Sequence, residues 1–158
     1  EGKIEVLNGS DGVESFNKRM KKQFGERTTY LSEEQIKEFG KKIVPELKVA
    51  LESNKALIDK IKSKKFDVIA IGRPMYVGMR YQMDFPQTFN KKQVLEKALK
   101  FSNKTTKEAH KAFPKIADHF ILAAQASLIY VYYIMDATGI DEMTIAVARP
   151  TDYLVTLE

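Results

Sequence analysis

The apolar run between Asp118 and Asp136 constrains this chain more than any other stretch of its sequence. Its only clearly polar side chains are His119, Gln125 and Ser127, so a helix formed by this run is apolar on every side. Such a helix either crosses a membrane or lies at the centre of a folded core. A membrane span needs about 20 apolar residues, and this run is shorter and has an aspartate at each end. The sequence therefore predicts a buried central helix and no membrane span.

The composition agrees with a folded, soluble protein. The chain has 158 residues, of which 44% are hydrophobic and 30% charged, and these values are typical of one globular domain. We therefore expect a single domain over residues 1–158. The chain contains no cysteine, which excludes disulfides, thiolate zinc sites and iron–sulfur clusters. The compartment is unknown from the sequence, although a start at Glu1 and the lack of cysteine slightly favour an exported, periplasmic or secreted protein over a cytoplasmic one.

The first half of the chain carries the signals of two helices. One is predicted from about Gly12 to Phe24, after a capping residue at Ser10 or Asp11. The second begins after Ser32, where Ser-Glu-Glu-Gln forms a capping box. Apolar residues spaced three and four apart then predict a lysine-rich amphipathic helix as far as about Lys64. Gly40 and Pro45 interrupt it, and we expect a kink or restart near Val44.

The second half of the chain repeats this arrangement. Asn90 is a predicted cap, and Thr105 begins a second capping box with Glu108. Pro114 is the predicted start of the long apolar helix, and Gly139 is its predicted end. The two halves together predict several helices that pack around one core.

Five segments have strand character: 3–7, 66–72, 75–85, 142–147 and 153–157. Segment 66–72 is apolar on both faces, which predicts a strand that is covered on both sides. Segment 75–85 alternates, with methionines and aromatic residues on one face, which predicts a strand of a hairpin. The predicted fold is therefore α+β, with a mainly antiparallel sheet of about five strands packed against several helices in the order β-α-α-β-β-α-α-β-β.

Two segments of the chain have nearly the same six-residue sequence, IAIGRP at 69–74 and IAVARP at 145–150. An internal helix–hairpin duplication would explain the repeat, and so would two edges of a sheet that meet the same geometric requirement. Since proline cannot donate to a strand ladder, the structural interpretation is that each Arg-Pro ends a strand. In the functional interpretation, Arg73 and Arg149 emerge at one rim of the sheet, where two guanidinium groups could clamp a carboxylate or a phosphate.

These features favour a non-enzymatic binding module over an enzyme. We predict that it recognises a protein partner through the rim of the sheet and the hairpin, with five binding residues of types that are common as interface anchors: Arg73, Tyr76, Arg80, Tyr81 and Arg149. The alternative is a small enzyme or carrier that acts on an anionic small molecule held by Arg73 and Arg149, with His119 or a nearby carboxylate as acid or base.

Other function classes find less support in the sequence. The net charge is +5, but only five of the 26 basic residues are arginine, and the lysines alternate with acidic residues along helices. This pattern disfavours specific nucleic-acid binding and leaves a nonspecific polyanion binder as a third hypothesis. The sequence contains none of the common nucleotide-binding, hydrolase or zinc motifs and resembles no known family, so we assign it no catalytic residue, no metal and no cofactor.

Overall fold

The computed structural model describes residues 12–52, 55–63, 67–72 and 74–146, and this part of the chain is mostly helical. Six α-helices are present in the described ranges: α1 (Val13–Phe24), α2 (Glu33–Glu52), α3 (Lys55–Lys62), α4 (Lys91–Leu99), α5 (Thr106–Ala112) and α6 (Asp118–Thr138). A π-helix spans Pro74–Gln82. Three short strands complete the fold: β1 (Ile69–Ala70), β2 (Thr88–Asn90) and β3 (Glu142–Ile145).

Local capping explains where several helices begin. Reciprocal hydrogen bonds between a cap and the third helical residue precede three of them, in the pairs Ser32 with Gln35, Asn90 with Gln93, and Thr105 with Glu108. At α4, the Gln93 amide donates to Asn90 Oδ1 at 2.9 Å and the Asn90 amide donates to Gln93 Oε1 at 2.8 Å. The caps predicted at Ser32, Asn90 and Thr105 are thus confirmed.

The bounds of two long helices differ from the predicted ones. Helix α2 continues through Pro45 to Glu52, so it does not restart at the proline. Helix α6 begins at Asp118 rather than Pro114, and it ends at Gly139, whose φ of 70° places it in the left-handed conformation that glycine adopts most easily.

Helix α6 is the centre of the fold, as the sequence predicts. Helices α1, α2 and α4 all pack against it, and twelve of its 21 residues are buried. By length and composition α6 is the one helix in the described ranges that could cross a membrane, but 56% of its most apolar window is buried inside the protein. The core helix of a soluble protein has these properties.

The sheet differs from the predicted one in size and in direction. It has three strands in the order β1-β3-β2, and β1 runs parallel to β3 whereas β2 runs antiparallel to it. The prediction of a mainly antiparallel sheet of about five strands is therefore wrong. Two of the predicted strands, at 3–7 and 153–157, lie outside the described residues. Pairing between strands is non-local, so the sequence pattern of a single segment does not specify it.

The largest local correction concerns segment 75–85, which is a π-helix followed by a loop and not a strand of a hairpin. Met75, Met79 and Met83 are four residues apart, and that spacing fits a strand as well as a wide helix. The exposed side chain of Tyr81 separates the two interpretations, because a strand would bury it with the methionines. Without this hairpin, the predicted helix–hairpin duplication is not observed.

Candidate functional site

Two of the predicted binding residues form a pair on the π-helix. The hydroxyl groups of Tyr76 and Tyr81 are 2.6 Å apart, and their rings meet edge to face with centroids 4.7 Å apart. The five-residue spacing brings them to successive turns because a π-helix repeats after five residues. Tyr81 is 57% exposed and Tyr76 is half-buried. The pair is a rigid aromatic feature on the surface of the protein.

Arg80, the third predicted binding residue on this helix, contacts the protein's own backbone. Its Nη1 donates to the carbonyl oxygen of Phe85 at 2.7 Å. Beside it, Lys97 Nζ donates to the carbonyl oxygen of Met83 at 2.7 Å and lies 5.4 Å from the centre of the Phe85 ring. Burial lowers the pKa of Lys97. The two cations therefore hold the segment that follows the π-helix.

The other two predicted binding residues, Arg73 and Arg149, lie outside the described residues. The strands that carry the start of each repeated sequence do lie side by side, since Ile69 pairs with Thr144 and Ala70 with Ile145 in a parallel register. The convergence of the two arginines stays a prediction.

An apolar cleft lies between β1, the start of the π-helix and α6. Its volume is about 290 Å³, and its walls are formed by side chains that are almost all aliphatic, aromatic or methionine, among them Ile69, Ile71, Met75, Met79, Tyr130, Val131 and Ile134. Ser127 also lies in the wall, but its hydroxyl donates to the carbonyl oxygen of Ala123 in its own helix at 2.9 Å. We call this feature the β1 cleft.

Strand β1 forms one edge of the sheet next to this cleft. The carbonyl oxygens of Val68 and Ala70 accept hydrogen bonds from the amides of Thr144 and Ala146, at 2.9 and 3.1 Å. Because neighbouring residues of a strand direct their backbone groups to opposite sides, those of Ile69 point away from β3. In the described ranges no strand pairs with this side of β1. Among the residues that the structure describes, this side of β1 is an open edge of the sheet.

The side chains at this edge are unusually exposed for their type. Ile69 is 59% exposed and Ile71, just beyond the strand, is 51% exposed. The sequence predicts that this strand is covered on both faces. The exposure of Ile69 and Ile71 shows that this prediction is wrong. The apolar character of 66–72 is the sequence signal that marks this edge, because exposed apolar residues are candidates for contact with another molecule.

The histidines form no comparable site. His110 Nε2 lies 3.4 Å from Asp118 Oδ1 on the surface, and His119 is exposed. Among the residues that the structure describes, no group of three or more histidine, aspartate or glutamate side chains is placed to hold a metal ion.

Comparisons with known proteins gave no match to a family model, to a curated protein or to a solved structure.

Proposed function

We propose that this protein is a non-catalytic binding module that recognises an extended, apolar segment of a protein partner along the open edge of β1. The observation that carries the proposal is the combination of the Ile69 backbone, with which no described strand pairs on its outer side, and the exposed side chains of Ile69 and Ile71. A partner strand would pair with this edge through its main chain. Recognition by an added strand is one of the common ways in which proteins bind peptides.

The β1 cleft supplies the selectivity that such pairing needs. Side chains of an added strand alternate between its two faces, so every second residue of the partner would point towards the apolar wall formed by Met75, Met79 and Ile134. Methionine side chains adapt to different apolar shapes, which suits a surface that accepts several related sequences. The partner segment is therefore expected to have apolar residues at alternate positions.

The tyrosine pair belongs to the same region of the protein. Tyr76 follows Met75, which lines the cleft, and Tyr81 is exposed on the same helix. Tyrosine is enriched among the residues that contribute most to binding energy, because its ring buries a large area and its hydroxyl keeps a polar contact. We expect Tyr81 to contribute at the rim of the interface, and Arg80 to act indirectly through its bond to Phe85.

The direct test uses a library of random 12-residue peptides displayed on phage and selected against the intact chain. We expect the selected peptides to share apolar residues at every second position. A labelled peptide from this selection should bind at least about tenfold more weakly to the Ile69→Lys and Ile71→Lys variants, measured by fluorescence anisotropy, because a buried ammonium is strongly unfavourable.

Matched control variants are available elsewhere on the surface. Val49 and Leu122 are 66% and 65% exposed, so Val49→Lys and Leu122→Lys introduce the same charge at similarly exposed apolar positions away from β1. These variants should bind the peptide as the unmodified chain does. The proposal is wrong if selection enriches no peptide, if the peptides lack alternation, or if the control variants weaken binding as much as the β1 variants.

The alternative function, a carrier or small enzyme for an anionic molecule held by Arg73 and Arg149, stays a prediction because both residues lie outside the described ranges. It differs from the main proposal in a measurable way. A carrier of this kind would lose its ligand in an Arg73→Ala, Arg149→Ala double variant, whereas binding of an apolar peptide along β1 depends on Ile69 and Ile71.

A further inference from the structure

A second cleft differs from the β1 cleft because many of the side chains in its wall are polar. It lies where the loop between α1 and α2 meets α5 and α6, and its volume is about 230 Å³. Its polar lining includes Asn17, Lys21 and Arg27, together with the hydroxyl-bearing residues Thr28, Thr29 and Thr106. The carboxylate of Glu26 lies in the same wall, so two cationic side chains and one anionic side chain line the cleft.

Arg27 is the residue in this cleft whose hydrogen-bonding capacity is least satisfied. Its Nε and Nη1 atoms are shielded from solvent, and no acceptor lies within hydrogen-bonding distance of either in the part of the chain that the structure describes. The guanidinium carbon lies 5.3 Å from the centre of the Phe24 ring. Burial lowers the pKa of Arg27. Guanidinium N–H donors that are shielded from water and have no acceptor are energetically unfavourable.

The acidic residue nearest in sequence does not relieve this state. Glu26 forms its ion pair with Lys21, with 3.5 Å between the charged atoms, and its side chain is 85% exposed. Arg27 has no ion pair among the described residues. The positive charge in this cleft therefore exceeds the negative charge that faces it.

The walls of the cleft are fixed by hydrogen bonds that do not involve Arg27. The Tyr30 amide donates to the carbonyl oxygen of Lys104 at 2.8 Å, and the Tyr30 hydroxyl donates to that of Ile121 at 2.5 Å. Thr29 and Thr105 form an isolated antiparallel β-bridge. The loop that carries Arg27 is thus held against α5 and α6 before any ligand arrives, which reduces the loss of conformational entropy on binding.

We infer that this cleft is a binding site for a small oxyanion, a carboxylate or a phosphate, with Arg27 as its anchor and the neighbouring threonine hydroxyls as further donors. Planar oxyanions match the donor fork of a guanidinium group. The size of the cleft limits the ligand, because pockets for drug-sized molecules measure roughly 300–1,000 Å³. Inorganic phosphate or a short carboxylic acid fits this space, and a nucleotide does not. The inference is independent of the peptide surface at β1.

The test titrates the intact chain with inorganic phosphate and, separately, with succinate, in a buffer without other multivalent anions. Binding is followed through the backbone amide resonances of Thr28 and Thr29. We expect saturable shifts with at least one of the two anions and at least a tenfold weaker affinity in the Arg27→Met variant, which keeps the length of the side chain but removes its donors. Saturation with only one anion would identify the ligand group as phosphate or as carboxylate.

The control is Arg19→Met, which makes the same substitution in α1. The Arg19 guanidinium is paired with Glu46, so its loss should change the affinity by less than twofold. The inference is overturned if neither anion saturates the shifts, or if Arg19→Met weakens binding as much as Arg27→Met, because the effect would then arise from net charge alone.

Thermal unfolding separates a ligand-binding role from a structural one. Without added anion, Arg27→Met should melt at the same temperature as the unmodified chain or at a higher one, since it removes unsatisfied donors. The bound anion should raise the melting temperature of the unmodified chain alone. A large decrease in the melting temperature of Arg27→Met without anion would assign Arg27 a structural role and overturn the inference.

Discussion

At the scale of single residues, the most informative side chain is the buried amide of Gln125. It is 1% exposed in the middle of the apolar helix α6. The Leu31 amide donates to its Oε1 at 2.8 Å, and its Nε2 donates to the carbonyl oxygens of Leu31 and Ala98 at 2.9 and 3.3 Å. One side chain therefore satisfies backbone groups next to α2 and at the end of α4 and connects both to α6.

This geometry predicts a large effect for the Gln125→Leu substitution. The backbone amide and carbonyl groups of Leu31 would stay buried without a partner, whereas the Ala98 carbonyl would keep its bond from the Phe101 amide at 3.1 Å. The free energy of unfolding should therefore fall by about 2–4 kcal/mol. Urea denaturation followed by circular dichroism measures this difference. Ser127→Ala is the control, because that hydroxyl bonds only within its own helix and its loss should cost less than about 1 kcal/mol. A change of less than about 0.5 kcal/mol for Gln125→Leu would contradict this account.

The sequence identifies Gln125 as one of three polar exceptions in the run, but it does not identify the partners of its amide. Arg27 illustrates the same limit. Among the described residues Arg27 has no ion pair, although Glu26 is adjacent in sequence, because Glu26 pairs instead with Lys21. Whether a side chain lacks a hydrogen-bond or ion-pair partner in the folded protein is not visible in the sequence.

At the scale of elements, the π-helix is the feature that most changes the predicted architecture. It packs against α6 through Gly78, where a Cβ atom would come within 2.7 Å of Phe120 Cζ and 2.8 Å of Phe120 Cε1. Only a glycine allows this close approach. This contact was not predictable from the sequence, because period-two alternation and four-residue spacing coincide at the methionines of 75–85, and the alternation predicted a strand there.

We predict that Gly78→Ala destabilises the protein, although alanine is normally the better helix former. The added methyl group overlaps the Phe120 ring, and such overpacking typically costs about 1–3 kcal/mol in the free energy of unfolding. In a Phe120→Leu background the cost of Gly78→Ala should fall by at least half, as measured by a double-mutant cycle in urea. Additive effects would show that Gly78 and Phe120 are not in contact and would contradict the observed packing.

The helix boundaries show which elements a sequence can specify. Ser32, Asn90 and Thr105 were predictable as caps because each bonds to a residue three positions away in the chain. The direction and number of strands were not predictable in the same way, because β3 pairs with segments more than fifty residues distant. Local hydrogen bonds leave a pattern in the sequence, and non-local ones leave only the apolar character of the segment.

At the scale of the whole molecule, α6 organises the protein. Its apolar circumference predicted a buried central helix, and the structure confirms this arrangement. The helices that surround α6 cover most of its hydrophobic surface, so the small sheet is a minor part of the core. This division explains why β1 can leave the side chains of Ile69 and Ile71 exposed without a loss of the fold.

The proposed function requires that the edge of β1 is uncovered in the protein alone and becomes paired when a partner segment binds. Hydrogen exchange at individual amides, followed by nuclear magnetic resonance, tests it most directly. We predict that the Ile69 amide exchanges rapidly in the free chain and at least tenfold more slowly with a saturating selected peptide, because the added strand accepts its hydrogen bond. The amide of Thr144, which already donates to Val68, serves as the internal reference for a protected position. Slow exchange of the Ile69 amide in the free chain would show that the edge is already covered, and it would contradict the account.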